Sequence, residues 1–162
     1  APKDLPKFVI DADGLQALAE IPDWSKRLRG SGVLTPHPGE MAALTRMSVE
    51  DVQKEREEVA LRFAQEWNQV VVLKGALSVI AEPGGKSVIL PVATSALAKA
   101  GSGDVLSGVI GGLMAQGATP FEAAVAGAWY HAQAGLRAAQ RLGSERAVLA
   151  GDVIEALADV MG

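Results

Sequence analysis

The sequence predicts an α/β fold with a mainly parallel sheet, and three observations carry that prediction. Short β-branched runs at Phe8-Val9-Ile10, Val33-Leu34 and Val70-Val71-Val72-Leu73 alternate with stretches of helical periodicity. The third run is apolar at every position, as a strand buried on both faces requires. Each run also stops at a polar or glycine-containing corner, which is how strands of an open parallel sheet deliver side chains to one crevice.

Taken in order, Phe8-Val9-Ile10 ends in Asp11-Ala12-Asp13, and a helix is expected over about Leu15 to Glu20. Pro22 to Gly32 is polar and reads as a connection. Val33-Leu34 then enters Thr35-Pro36-His37-Pro38-Gly39-Glu40, where two prolines are expected to hold off the next helix until Glu40 and Met41. Ser48 and Asp51 resemble a capping box, and Val52, Val59, Phe63 and Trp67 recur along one face of a single amphipathic helix opposite Lys54, Glu57 and Glu58. After the strand Val70 to Leu73 comes Lys74-Gly75. Leu77 to Ala81 and Ser87 to Leu90 flank Pro83-Gly84-Gly85 and read as an antiparallel hairpin.

The remainder is helical. Gly101-Ser102-Gly103-Asp104 opens a helix to about Gln116, and its two apolar lines, Val105/Val109/Leu113 and Leu106/Ile110/Met114, predict that it is largely buried. Thr119, Pro120 and Glu122 supply a cap, a first-turn proline and a capping-box acid for a helix ending near Leu142, with Gly143 as its stop. A last amphipathic helix is expected after Asp152. There is no internal repeat and no low-complexity linker, so residues 1–162 are expected to form a single domain.

Composition narrows the function classes. The chain has 162 residues, 49% of them apolar and 21% charged, with mean hydropathy +0.19, which is globular and not disordered. With no cysteine there can be no disulfide framework, thiolate zinc site or cysteine nucleophile. A net charge of -4 has the wrong sign for a phosphate backbone, so nucleic acid is not an expected partner. The longest near-apolar stretch, Val105 to Ala115, is too short and too glycine-rich to span a bilayer, and no basic-then-apolar leader opens the chain. A cytoplasmic protein is expected, and a first residue of Ala1 in place of Met hints at upstream sequence.

Four polar corners are candidates for chemistry: Asp11-Ala12-Asp13, Thr35 to Glu40, Lys74-Gly75-Ala76, and Gly101-Ser102-Gly103-Asp104. The glycine pair is the most informative, since N–H groups uncovered at a helix start can hold a phosphate oxygen. Asp104 would repel that phosphate unless it faces a hydroxyl, and a general base at that position removes the conflict: the amides of Gly101, Ser102 and Gly103 form an anion hole while Asp104 takes a proton. The plainer alternative is that Gly103 and Asp104 only cap a helix. His37, held between two prolines, suits a ligand contact or, equally simply, a bond to its own loop. His131 in an alanine-rich helix reads as packed or superficial. Lys74 could reach phosphates, and Trp24, Trp67 and Trp129 read as core or half-buried anchors. Two distant histidines and no cysteine leave a transition metal few ligands, so no protein-held metal site is expected, whereas magnesium carried by a nucleotide is compatible. The Walker and dinucleotide glycine patterns are absent.

The strings Val33-Leu-Thr-Pro-His-Pro-Gly-Glu40, Val72-Leu-Lys-Gly-Ala76 and Ala100-Gly-Ser-Gly-Asp-Val-Leu-Ser-Gly108 together resemble the ADP-dependent NAD(P)H-hydrate dehydratases of the ribokinase-like superfamily. The resemblance runs from Asp11 to the Ala150-Gly151-Asp152 helix start. It implies a ribokinase-like three-layer fold lacking its N-terminal part, and a lyase that repairs hydrated NADH and NADPH (NADHX and NADPHX) by phosphorylating the ring hydroxyl and eliminating phosphate, with ADP as donor and Mg2+ as its companion. It further implies Asp104 as base and substrate contact, His37 as substrate contact, and Lys74, Gly75, Ala76, Leu77, Ser78 and Gly103 as the nucleotide site. A homo-oligomer is expected.

The chain departs from the family pattern where Ala93-Thr94-Ser95-Ala96 replaces a Gly-Asn-x-Gly stretch, and where Gly14 and Gln16 replace Ala and Asn. Two alternatives remain open at the level of sequence: a vitamin or sugar kinase with the same base and anion hole, and an inactive nucleotide-binding remnant.

Overall fold

The structure is a computed structural model that describes residues 6–162. Its sheet has five strands in the order β1 (Phe8–Ile10), β2 (Gly32–Leu34), β3 (Val70–Leu73), β4 (Val79–Ala81) and β5 (Ser87–Ile89). The first three are parallel, with Val9 opposite Val33 and Leu34 opposite Val71, while β3, β4 and β5 pair antiparallel. The expected parallel core with a hairpin extending it is therefore what forms.

Side-chain alternation along the strands sorts the core into two layers. Leu34, Val71 and Leu73 face α1 (Asp13–Glu20), α2 (Trp24–Arg27), α3 (Pro38–Thr45), α4 (Val49–Lys54) and α5 (Arg56–Trp67), packing with Leu15, Trp24, Met41, Phe63 and Trp67. Val33, Val70 and Val72 face the other side and pack on α6 (Ser102–Ala115) and α7 (Pro120–Leu142) through Leu106, Ile110, Met114 and Ala124. A third cluster, Val105, Ala134, Ala138, Val153 and Ala156, fastens α8 (Ala150–Met161) to α6 and α7. The result is a three-layer α/β/α arrangement, and each large apolar side chain withdrawn from water contributes about 1.5–3 kcal/mol towards it.

Several local expectations are corrected. Helix α3 begins at Pro38, not at Glu40, because a first-turn proline has the right φ and no N–H to satisfy, and His37 caps it. The segment from Pro22 to Gly32 is not wholly connection, since Trp24 buries itself against Trp67 at 4.9 Å and draws the four residues of α2 into a helical turn. The single helix expected from Val52 to Trp67 is broken at Glu55, whose φ of -124° and ψ of 42° leave the helical basin. Of the two apolar lines of α6, Leu106/Ile110/Met114 and Val105 are buried, and Val109 and Leu113 line a groove against α8. Helix α8 starts at Ala150, two residues before Asp152, whose carboxylate accepts from the Leu149 N–H at 2.8 Å. Trp129 is 43% exposed and buries the rest of its surface, whereas Trp24 and Trp67 are core residues.

Helix α7 reaches the sheet closely because its inner face is alanine and glycine. A Cβ on Gly127 would stand 2.8 Å from Ile110 Cγ1 and 3.4 Å from the Ile110 nitrogen. Over Gly112 in α6 the corresponding space is open. Urea denaturation is thus expected to show Gly127→Leu destabilised by about 1–3 kcal/mol through overpacking, and Gly112→Ala stabilised by roughly 0.5–1 kcal/mol through helix propensity alone.

Candidate active site

The carboxyl ends of β1, β2 and β3 and the N-terminus of α6 meet at one rim. Their meeting point is the Lys74 ammonium, 2.6 Å from Asp11 Oδ1 and 3.7 Å from Glu40 Oε2. The other Asp11 oxygen accepts from Ser107 Oγ of α6 at 3.0 Å. Burial by itself raises the Asp11 carboxyl, but the bond to Lys74 and its charge, joined by Thr35 and the Ala12 N–H, outweigh it and leave the group below its usual value. Asp11, Glu40 and Ser107 were not singled out as site residues from sequence. The polar corner at Asp11 and the lysine at Lys74 were both visible, and what was missing was the pairing of residues 63 apart in the chain.

At β2 the Thr35 to Glu40 loop is built around a reciprocal cap. His37 Nδ1 accepts from the N–H groups of Gly39 and Glu40 at 3.0 and 3.2 Å, and the Glu40 carboxylate accepts from the His37 N–H at 2.7 Å. Since Nδ1 is an acceptor, the proton of the neutral ring resides on Nε2. That edge lies 3.4 Å from Glu40 Oε1, on a side chain 55% exposed. His37 is thus a loop-bonded histidine whose second nitrogen still faces the rim.

The loop after β3 carries Lys74, Gly75, Ala76, Leu77 and Ser78, and Arg56 clamps it. One guanidinium nitrogen donates to the carbonyls of Leu73, Lys74 and Leu77 at 2.9, 3.2 and 3.2 Å. A Cβ on Gly75 would stand 2.6 Å from that nitrogen, so the clamp needs glycine there. Burial lowers the Arg56 guanidinium from its ordinary value. Gly75, Ala76 and Ser78 line a small cavity of about 60 Å³.

The α6 start has no side-chain cap, a condition it shares with α1, α2 and α5 and not with α3, α4 and α7. Gly101 is its N-cap at φ 83°, a left-handed conformation that glycine adopts without strain, and no side chain caps it. Of its first-turn N–H groups, that of Ser102 donates to the Lys99 carbonyl at 3.2 Å, while among the described residues those of Gly103 and Asp104 have no intrahelical or side-chain acceptor. Gly103 stands over the ion pair, with its missing Cβ 3.1 Å from Asp11 Oδ2 and 3.4 Å from Lys74 Nζ. Asp104 is exposed, and among the described residues its carboxylate makes no hydrogen bond or ion pair. It stands at one end of a groove of about 590 Å³ that runs between α6 and α8 and is lined mainly by apolar side chains such as Val109, Leu113, Ile154 and Leu157. Ala93 to Ala96 lies beside this start as a loop entering a short turn, fixed by Glu145, which accepts from Ser95 N–H and Oγ at 2.8 and 2.6 Å.

The structure thus brings Lys74, Gly103 and, through Glu40, His37 to one rim, with Gly101, Ser102 and Asp104 adjacent. Among the described residues no group of three His, Asp or Glu side chains could hold a metal ion, and no helix is long and apolar enough to cross a membrane.

The three-layer fold is shared with a ribokinase-like superfamily protein of Enterococcus faecalis, which superposes with TM-score 0.78 at 20% identity over 99% of this chain and 54% of its own. The profile of the NAD(P)H-hydrate dehydratase family matches residues 1–158, and the chain belongs to that family. It is 46% identical over 153 residues to the bifunctional NAD(P)H-hydrate repair enzyme Nnr of Moorella thermoacetica, covering 94% of this chain and 29% of that protein. It is 39% identical over 150 residues to the ADP-dependent (S)-NAD(P)H-hydrate dehydratase of Neisseria meningitidis, covering 91% of this chain and 51% of that one. Among solved structures, the ADP/ATP-dependent NAD(P)H-hydrate dehydratase of Bacillus subtilis co-crystallised with ATP/Mg2+ superposes with TM-score 0.82 at 33% identity, over 96% of this chain and 54% of its own. The chain spans between about a third and about half the length of these relatives.

The Asp11 shift has a pH consequence. A carboxyl depressed in the fold adds stability that is complete above its unfolded value, near 3.8, and is lost as pH falls through the lower folded value. Asp11→Asn is expected to cost about 1–3 kcal/mol at pH 7 in urea denaturation, by unpairing Lys74, with the gap to the parent narrowing below pH 4.

Proposed function

We propose that this chain carries the phosphoryl-transfer site of an ADP-dependent NAD(P)H-hydrate dehydratase, which phosphorylates the ring hydroxyl of hydrated NADH or NADPH and lets phosphate depart. The observation that carries the reading is the unengaged Asp104 carboxylate in the first turn of an uncapped helix. Where this chain uses a first-turn acid as a cap, the acid folds back onto the N-cap amide, as Glu40 and Glu122 do. Asp104 does not, which leaves it available as a base.

In this reading the amides of Gly101, Ser102 and Gly103 hold the transferring phosphoryl, and Asp104 removes the proton of the attacking hydroxyl as the new O–P bond forms and the bond from that phosphorus to the bridging oxygen of ADP breaks, with AMP as the leaving group. The loop Lys74 to Ser78 carries the adenine nucleotide, and His37 presents Nε2–H to the hydrate. Magnesium supplies charge neutralisation on the nucleotide phosphates. It arrives with them, since Mg2+ ordinarily takes one or two carboxylates and completes its shell with phosphate and water. The names of the relatives support hydrated dinucleotide and ADP as the small molecules bound. A cytoplasmic setting and a homo-oligomer belong to the same reading.

The decisive variant is Asp104→Asn, which keeps the shape but cannot accept a proton. Recovery of nicotinamide absorbance from hydrated NADH with ADP and magnesium is expected to fall about 10²–10⁴-fold with ADP affinity unchanged. Turnover near that of an active parent would remove Asp104 from catalysis, and a phosphorylated product that accumulates without elimination would favour a kinase.

The two halves of the cleft should separate in calorimetry. Gly103→Val fills the space above Lys74 and is expected to weaken ADP about ten- to a hundredfold by displacing the phosphate from the amides. His37→Ala is expected to raise the KM for the hydrate while leaving ADP within about twofold of the parent. The opposite pattern would exchange the two assignments.

A further inference from the structure

His131 is the one imidazole the reading above does not use, and it is almost wholly buried. It lies in the middle of α7, among the buried Gly127, Ala128, Ala132 and Gly135. The residue is 7% exposed, and its Nε2 shares a 3.0 Å hydrogen bond with Ser102 Oγ, on a residue 4% exposed. Burial pushes the imidazole down to about 4 and the charge of Lys74 pushes the same way, against the opposing pull of the Ser102 backbone. At neutral pH the ring is uncharged, and the bond is one between neutral partners.

The position of this bond gives it meaning. Ser102 is the first residue of α6 and has a glycine on either side, so backbone freedom is greatest where the amides must be aimed. Among the described residues no side chain caps this helix. Its other side-chain tether, Ser107 to Asp11, acts more than a turn further on. His131 also forms a wall of the small cavity shared with Gly75, Ala76 and Ser78. It therefore bonds the helix start and shares a cavity with the loop after β3. An alanine and a leucine could fill the same volume with no polar group to desolvate, so packing alone does not require the pair.

We propose that His131 is a positioning residue for the anion hole, fixing the first turn of α6 through Ser102 Oγ so that its amides, that of Gly103 above all, stay aimed at the donor phosphate. The proposal rests on the reading of α6 as the phosphate-binding helix start. It assigns His131 no contact with substrate or nucleotide. Loss of the bond leaves the amides present but loosely directed, and a displacement on the order of 1 Å at a reacting centre can cost up to about a hundredfold in rate.

Calorimetry with ADP as the probe, run beside thermal melting, tests this with His131→Leu, His131→Gln, Ser102→Ala and the double variant His131→Leu/Ser102→Ala. His131→Leu and Ser102→Ala are each expected to weaken ADP about tenfold, the scale of one lost hydrogen bond. The double variant is expected to be no weaker than the worse single one, because both remove the same bond. His131→Gln, whose terminal amide can reach the place of Nε2, is expected to recover most of the affinity.

Full ADP affinity in His131→Leu or Ser102→Ala overturns the proposal, as do additive losses in the double variant. A lowered melting temperature with ADP affinity intact would mean that His131 is structural only, and also overturns it. Where His131→Leu fails to fold, Ser102→Ala decides alone, since deleting one hydroxyl leaves α7 packed. A parent that binds ADP but does not dehydrate hydrated NADH overturns the dehydratase reading and leaves this test in force. A parent that binds no ADP overturns both.

Discussion

The ion pair between Lys74 and Asp11 holds the rim of this molecule together, and its reach explains why a lysine is needed. The two residues follow β3 and β1, which are separated by β2, so the bond crosses two strand spacings, about 10 Å. Only a long, flexible side chain spans that gap. Because Asp11 also receives Ser107 from α6 and Lys74 lies near Glu40 of α3, one cation relates three strand ends to two helix starts. The pair is mostly shielded, with side chains 22% and 11% exposed, so removing one member strands a charge and does more than delete a weak surface contact.

The contrast between helix starts gives the rim its chemistry. Four helices close their first turn with a side chain: His37 and Glu40 at α3, Ser48 at α4, Thr119 and Glu122 at α7, and Asp152 at α8. At α6, as at α1, α2 and α5, no side chain does so; what sets α6 apart is that Gly103 stands over a lysine and an aspartate that neutralise one another. An anion arriving there meets aligned amide dipoles and a cation it can share with Asp11. Asp104 stands at the edge of this field, exposed and, among the described residues, free of partners, which is what the proposed role of base requires.

Much of this was legible in sequence because it is local. Val70 to Leu73 is apolar without interruption, and the structure buries all four residues. Thr119, Pro120 and Glu122 form the cap their spacing announces. The glycines at 101 and 103 mark a helix start without a side-chain cap. What was not legible is what joins distant positions: Lys74 to Asp11 across 63 residues, and His131 to Ser102 across 29. No periodicity encodes such pairings, since each follows only once sheet order and helix packing are fixed. The early start of α3 is a different case. Pro38 was read as a barrier, although proline is an obstacle inside a helix and an asset at its first position.

The small-residue face of α7 has a consequence for motion. With Gly127 against Ile110 and Gly135 against Leu97, this helix lies so near its neighbours that no side-chain layer remains to loosen independently. Amide protons on its buried face can meet solvent only when α6, α7 and the sheet separate together, so the three should behave as one cooperative unit in hydrogen exchange. The loop after β3, exposed at Leu77 and held mainly by Arg56, belongs to a faster class. The molecule thereby sets a slowly exchanging platform beneath a quickly exchanging lip, and any ligand seated between them is gripped from below by the part least able to yield.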